Sequence, residues 1–315
     1  MIIITGGAGF IGSAIAAQLN SRGVDDILIV DILGDDEKWK NLRKLSYADY
    51  AEADDFLDML AAGEVDWPVE AVFHMGACSD TTEQNCTYLV NNNYEYSKLV
   101  ANWAVEAGAR FIYASSAATY GDGSKGFADD EKKLSELVPL NMYGYSKHMF
   151  DMWAKRAGLL DKIVGLKYFN VFGPNEYHKA NMRSFVIKAF EQITSRGSVG
   201  LFKSYRDDYA DGEQQRDFLY IKDAVDMTLF FMDNPKVNGI FNIGTAKART
   251  WNDLVTATFA AMGKEANIEY IEMPEVLRGK YQYFTQADIG KLRKAGYEKE
   301  LTSLEDAIKI MCKIT

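Results

Sequence analysis

The sequence predicts an α/β fold, a doubly wound parallel sheet carrying a smaller mixed α/β lobe, and three observations predict it. Short apolar, β-branched runs alternate with helix-compatible segments through the first half of the chain. Such interleaving implies parallel pairing, right-handed crossovers and helices on both faces. The first run, residues 1–5, leads straight into Gly6-Gly7-Ala8-Gly9-Phe10-Ile11-Gly12 and a helix-compatible stretch to Asn20. A second run, residues 26–30, ends on Asp31, an acid about twenty residues beyond the turn.

Each of these parts has a physical task. Gly6 lets the chain turn sharply, Gly9 lets the backbone touch a pyrophosphate, and Gly12 lets the helix pack on the strand. The phosphates then sit on the free N–H groups and positive end of that helix. Strand, glycines, helix, strand and acid in register make a dinucleotide site of the Rossmann type.

Further along, residues 69–74 read as a third strand, 88–107 as a helix ended by Gly108, 110–114 as a fourth strand and 163–169 as a fifth. Beyond Pro174 the chain turns polar and irregular, with a helix over 182–196 and short strands over 239–244 and 268–271. The division predicted is a dinucleotide-binding domain over 1–174, with returns near 217–245, and a discontinuous substrate lobe over 175–315. In such a fold ligands lie beyond the carboxyl ends of the strands, in the cleft between the two parts.

Composition removes several classes. With 315 residues, 48% of them hydrophobic, the chain can bury a large core. Its net charge of −10 argues against nucleic acid as a partner. No apolar run approaches the roughly twenty residues of a membrane span, and Met1 opens the first strand without room for a leader peptide. Cys78, Cys86 and Cys312 are widely spaced and odd in number, as free thiols in a reducing cytosol would be, so the expected location is cytoplasmic. His74, His148 and His178 show no metal-ligand spacing, so no metal is expected.

The chemistry is predicted at the strand ends. Ser115 and Ser116 close the fourth strand, and Tyr143 and Lys147 follow four residues apart, on one helix face. An ammonium beside a phenol is expected to favour the phenolate. The tyrosine can then take a proton from an alcohol while hydride leaves for a nicotinamide, with Ser116 holding the reacting oxygen and Lys147 the nicotinamide ribose.

Thr5-Gly6-x-x-Gly9-x-x-Gly12, Ser115-Ser116 and Tyr143-x-x-x-Lys147 resemble the extended short-chain dehydrogenase/reductase family. Other segments narrow the resemblance to its ADP-L-glycero-D-manno-heptose 6-epimerases. They are residues 74–82, with Gly-Ala-Cys-Ser and Thr-Thr, residues 113–120, residues 168–174 followed by Glu176-Tyr177-His178-Lys179, and residues 279–288. The likeness covers nearly the whole chain.

The resemblance implies an isomerase that uses NADP to oxidise C6 of ADP-D-glycero-D-manno-heptose to a ketone and returns the hydride to the opposite face. It implies a heptose supply for bacterial lipopolysaccharide and a homo-oligomer, with pentamers among the members. Inversion through a ketone needs proton exchange on both faces, and the second acid/base falls on Lys179. Cofactor contacts fall on Gly6, Gly9, Phe10, Ile11, Gly12, Asp31, Ile32, Lys38, Met75, Gly76, Ala77, Cys78, Ser79, Lys147, Val171 and Lys179, with Asn92 fixing the 75–79 wall. Asp31 alone suits the 2′-hydroxyl of NAD, whereas Lys38, followed by Lys40, Arg43 and Lys44, favours the 2′-phosphate of NADP; a second basic position of some members is Ala53 here. Substrate contacts fall on Ser116, Asn170, Asn181, Lys188, Phe202, Lys203, Ser204, Tyr205, Arg216 and Tyr281. Arg216 is the candidate for the diphosphate, because a guanidinium grips two oxygens at once. Residues 206–215 are longer and more acidic than in the family, and read as a surface loop.

Three alternatives differ in class. A UDP-hexose 4-epimerase would share the fold and the Ser/Tyr/Lys group. A 4,6-dehydratase would need an acid pair where Ala117-Ala118 stands. A non-catalytic dinucleotide sensor would be free to lose Tyr143 and Lys147.

Overall fold

The computed structural model describes residues 1–278 and 281–314. Its core starts from β1 (Ile2–Thr5), whose four residues are all buried, three isoleucines covering both faces before the polar Thr5. In chain order follow α1 (Phe10–Ser21), β2 (Ile27–Asp31), β3 (Asp49–Glu52), α2 (Ala53–Ala62) and β4 (Ala71–His74). One long helical segment comes next: α3 (Cys86–Val90), a π-helical turn (Asn91–Glu95) and α4 (Tyr96–Glu106). Then come β5 (Arg110–Ser116), α5 (Met142–Arg156), β6 (Val164–Tyr168) and β7 (Asn170–Phe172).

The remainder contains α6 (Phe185–Arg196), β8 (Val199–Phe202), β9 (Gln215–Tyr220), α7 (Ile221–Asp233) and β10 (Gly239–Ile243). It closes with β11 (Ala248–Thr250), α8 (Trp251–Ala261), β12 (Ile268–Ile271), α9 (Glu275–Arg278), α10 (Gly290–Lys294) and α11 (Leu304–Ile314).

Seven strands form one parallel sheet in the order β10-β6-β5-β4-β1-β2-β3. The chain winds outward from β1 in both directions, so the crevice where the order reverses lies beside β1 and β4. Alternation along β1 splits the core into two layers. Ile2 and Ile4 pack with Ile15 and Leu19 of α1, while Ile3 packs with Val100 of α4 and Phe150 of α5. The predicted doubly wound sheet is therefore the observed one. Sequence pattern missed β3, because this edge strand is polar and none of its residues is fully buried.

The smaller elements form a three-stranded sheet, β11-β9-β7, and a parallel pair, β12-β8. Among the described residues no helix is long and apolar enough to cross a membrane, and no cluster suits a metal ion.

One buried ion pair locks α5 to the sheet. Lys167 of β6 lies 2.6 Å from Asp151, both fully buried. Asp151 also accepts from the Tyr113 hydroxyl at 2.9 Å and from Ser115 at 2.8 Å. Removing one partner of such a pair would cost roughly 3–5 kcal/mol, since the other charge stays buried. That bond network sets the orientation of the helix carrying Tyr143 and Lys147.

Candidate active site

The glycine loop has the shape of an anion cradle. Gly6 has φ +65°, and a Cβ there would lie 2.7 Å from the Gly76 nitrogen; a Cβ on Gly12 would lie 2.1 Å from the Gly6 carbonyl. Neither site accepts a side chain. Gly9 stands at the N-terminus of α1 and donates its N–H to Gly6 at 3.0 Å, and no side chain caps the helix. The donors of the first turn, Phe10 and Ile11 among them, thus face the crevice with the positive end of the dipole. These residues fit the diphosphate of a dinucleotide.

Asp31 is turned inward. Its carboxylate accepts from Ala8 N–H at 2.9 Å, from Ile32 N–H at 2.8 Å and from Lys38 Nζ at 3.0 Å. Lys38 also donates to the Ile32 carbonyl at 2.6 Å. Of the basic cluster that follows, Lys40 pairs with Glu37, and Arg43 stacks over Trp39 at 5.4 Å. Only Lys38 among them is paired with Asp31.

Residues 75–79 form the wall beyond β4. Met75 donates its N–H to Thr5, and its sulfur accepts from the Tyr168 hydroxyl at 3.7 Å, so its side chain is engaged as well as its backbone. Gly76 N–H bonds Thr5 Oγ1 at 3.1 Å. Ala77 and Cys78 are half-buried and Ser79 is exposed. The clamp on this wall is Asn93 rather than Asn92. Asn93 is fully buried and bonds both the N–H and the carbonyl of Cys78, at 2.8 and 2.9 Å. Asn92 is only half-buried and donates to the Tyr88 carbonyl at 3.0 Å. The π-turn shifts the register by one residue, which a regular helical period does not foresee.

Ser116 ends β5 with its hydroxyl beside Tyr143 of α5, and Lys147 lies one turn further along the same helix. Lys147 is buried and its ammonium donates to the Ala114 carbonyl at 3.0 Å. Burial lowers its pKa to about 8, opposed by Asp151 and by the Cys78 thiol. The expected lowering of the phenol is reversed. Burial raises Tyr143 above its ordinary value, the Ser116 hydroxyl pulls the other way, and Lys147 is not among its causes. The desolvation of a phenolate outweighs an ammonium that is aimed at a carbonyl.

Lys179 sits in a short 3₁₀ segment, Tyr177–Met182. Its ammonium lies 5.0 Å from the Phe10 ring centre and 3.7 Å from the fully buried Glu176 carboxylate. Glu176 in turn accepts from Gly173 N–H at 3.1 Å and Ser184 N–H at 2.8 Å, so the anchor for Lys179 is itself fixed. Sequence reading gave Glu176 no task, because an acid in a polar loop carries no burial signal.

On the predicted substrate side, Val171 is half-buried on β7, Asn170 and Asn181 are exposed, and Lys188 donates to the Asn181 carbonyl at 2.6 Å. Phe202 closes β8; beyond it Lys203 pairs with Glu272 at 2.7 Å, Ser204 accepts from Arg206 N–H at 3.1 Å, and Tyr205 stacks under the Arg278 guanidinium at 3.9 Å. Arg216 is 7% exposed, between the rings of Trp251 at 5.7 Å and Tyr281 at 5.0 Å. The neighbouring acids are committed elsewhere. Asp217 accepts from Thr245, Ala246 and Ala287, and Glu213 from Asn252. Among the described residues no salt bridge engages Arg216, so its charge is available for an anionic ligand. Residues 206–210 lie on the surface, tied down by Asp211 to Ser204 and by Arg206 over Tyr283, whereas Gln214 is buried and Gln215 opens β9. In the 279–288 segment, Gly279 and Lys280 lie outside the described residues.

Residues 2–244 match the family described as the NAD dependent epimerase/dehydratase family. An ADP-L-glycero-D-manno-heptose-6-epimerase of Nitratidesulfovibrio vulgaris (strain Hildenborough) is 58% identical over 308 residues, covering 98% of this chain and 95% of that one. The Fusobacterium nucleatum protein of the same name is 49% identical over 318 residues, covering 98% and 96%. The crystal structure of the Helicobacter pylori ADP-L-glycero-D-manno-heptose-6-epimerase superimposes with a TM-score of 0.84 at 29% identity, covering 99% and 95%. A Thermus thermophilus UDP-glucose 4-epimerase solved in complex with NAD, 22% identical with a TM-score of 0.79 over 99% and 97%, shares the fold.

Proposed function

The chain belongs to the NAD dependent epimerase/dehydratase family, among its ADP-L-glycero-D-manno-heptose-6-epimerases, and from that premise we propose that it is an NADP-dependent enzyme inverting C6 of ADP-D-glycero-D-manno-heptose. It is an isomerase of the epimerase type that works with a nicotinamide dinucleotide. The reading is supported by two proton-handling groups, Tyr143 beside the Ser116 hydroxyl and Lys179 over Phe10 at the start of α1.

A dinucleotide held by the glycine loop and the 75–79 wall would supply reversible hydride chemistry at C6. Tyr143 exchanges the proton of the C6 oxygen on one face, with Ser116 holding that oxygen. Lys179, steadied by Glu176, exchanges it on the opposite face, so the returned hydride yields the inverted carbinol. Lys147 stays charged below about pH 8 and braces the nicotinamide side of the site. Arg216, between its two rings, takes the substrate diphosphate. NADP rather than NAD is supported by the Lys38–Asp31 pair, which cancels the carboxylate that would repel a 2′-phosphate. A homo-oligomer is inferred from the resemblance and is supported by the exposed Leu99, Val138, Met142 and Tyr145.

The test is direct. ADP-D-glycero-D-manno-heptose is incubated with the purified protein, with and without added NADP, and C6 stereochemistry is followed by NMR. Conversion to the L-glycero epimer without net redox is the expected result; turnover of UDP-hexoses alone would overturn the substrate.

A further inference from the structure

His74 is fully buried at the end of β4, beside the cofactor wall, and the proposed reaction makes no use of it. Its two ring nitrogens sit in the middle of an unbroken chain of hydrogen bonds. On one side Nδ1 lies 2.8 Å from Thr5 Oγ1, which accepts from Gly76 N–H at 3.1 Å. On the other, Nε2 lies 2.9 Å from Ser97 Oγ, which donates to the Asn93 carbonyl at 2.8 Å. The Asn93 side chain then grips both backbone groups of Cys78 and donates to Ser146 Oγ at 3.0 Å. Ser146 donates in turn to the carbonyl of Tyr143 at 2.7 Å.

Donor counting fixes the proton positions. A carbonyl only accepts, so the single hydroxyl proton of Ser97 goes to Asn93. Nε2 of His74 must therefore donate to Ser97. The ring is neutral, because it is fully buried, faces the Lys147 ammonium and packs against the uncharged rings of Phe111 and Tyr96. Nδ1 is then bare and accepts from Thr5. In this arrangement each ring nitrogen and each of the two hydroxyls has a partner.

We propose that His74, locked as the neutral Nε2–H tautomer, is a positioning residue that ties the dinucleotide-binding loop and the 75–79 wall to the first turn of the helix carrying Tyr143. Through Thr5 it holds the backbone at Gly76, and through Ser97 and Asn93 it holds Cys78 and Ser146. A dinucleotide seated on the wall thereby meets Tyr143 in a fixed register. This inference rests on the functional reading for its catalytic consequence and on geometry alone for the tautomer.

The experiment has two arms. In protein labelled with ¹⁵N-histidine, the three histidines are assigned with a His74→Gln variant, and the tautomer is read from long-range ¹H–¹⁵N correlations between pH 8 and 5. The expected signature is an Nε2–H ring that does not titrate; an Nδ1–H tautomer, or protonation within that range, overturns the proposal. This arm needs no turnover, so it stands apart from the substrate assignment. In the second arm Ser97→Ala is compared with Ser97→Thr, which keeps the hydroxyl. Binding of NADP⁺ by fluorescence titration and kcat are each expected to fall about tenfold in Ser97→Ala and to recover in Ser97→Thr. A loss of melting temperature with unchanged NADP⁺ affinity and kcat would leave only a structural role and overturn the proposal.

Discussion

Lys38 places its ammonium 3.0 Å from the Asp31 carboxylate while a second bond of 2.6 Å ties it to the Ile32 carbonyl. The acid that would otherwise grip a ribose 2′-hydroxyl is thus paired with an ammonium, which supports the proposed role of Lys38 toward a 2′-phosphate. Charge-assisted bonds of this type contribute about 1.5–3 kcal/mol. Lys38→Ala is expected to weaken NADP⁺ binding by about ten- to a hundredfold and to leave NAD⁺ binding nearly unchanged, by calorimetric titration. Equal weakening of both would remove Lys38 from phosphate recognition.

Tyr143 and Lys179 are proposed to act on opposite faces of one carbon, so removing either stops inversion. Tyr143→Phe and Lys179→Met are each expected to lower kcat by about 10²–10⁴-fold with the dinucleotide still bound. Single-turnover mixtures with the D-glycero or the L-glycero sugar distinguish them, since each variant is expected to lose reduction of the dinucleotide with one epimer more than with the other. Full activity in Lys179→Met would leave Tyr143 as the sole proton-handling group and require the substrate to rotate.

Arg216 stands between Trp251 and Tyr281, and among the described residues no carboxylate forms a salt bridge with it. Arg216→Lys keeps the charge and loses the planar fork. Its KM for the nucleotide sugar is expected to rise about tenfold or more, with a far smaller change in kcat. A KM equal to that of the unaltered enzyme would place the diphosphate elsewhere.

The Lys147 ammonium titrates at about 8 because burial disfavours its charge. Turnover is therefore expected to decline as pH rises through about 8, and Lys147→Met should lack that limb. Stability moves the other way. The folded value lies below the unfolded one, about 10.4, so the unfolded chain binds this proton more tightly. The lysine opposes folding at neutral pH, and this penalty is relieved as pH rises from about 8 to 10.4. Denaturant titrations of the parent and Lys147→Met across that window should converge at the alkaline end; parallel curves would contradict the assignment.

The large sheet was legible because its strands are short apolar runs and its first turn carries three glycines with separate steric duties. Tyr143 and Lys147 were legible because four residues of helix bring side chains to one face. What stayed hidden depends on tertiary context. Asp49–Glu52 pairs with β2 through its backbone and shows no apolar pattern. Asn93 could not be told from Asn91 and Asn92 without the π-turn that selects it. Desolvation raised Tyr143 where sequence proximity to Lys147 predicted the reverse, because spacing says nothing about where an ammonium points.

That π-turn makes the chain intolerant of length in a place where it tolerates composition. The turn over Asn91–Glu95 holds one residue more than an α-helical turn would. Deleting any one of these five would close it into regular helix and rotate the preceding segment by about 100° relative to α4. A different side chain would then meet the backbone of Cys78, and the 75–79 wall would lose its clasp. Homologues and engineered variants should therefore vary freely at the solvent-facing Asn91 and Glu95 while holding the spacing from Cys78 to Ser97 constant.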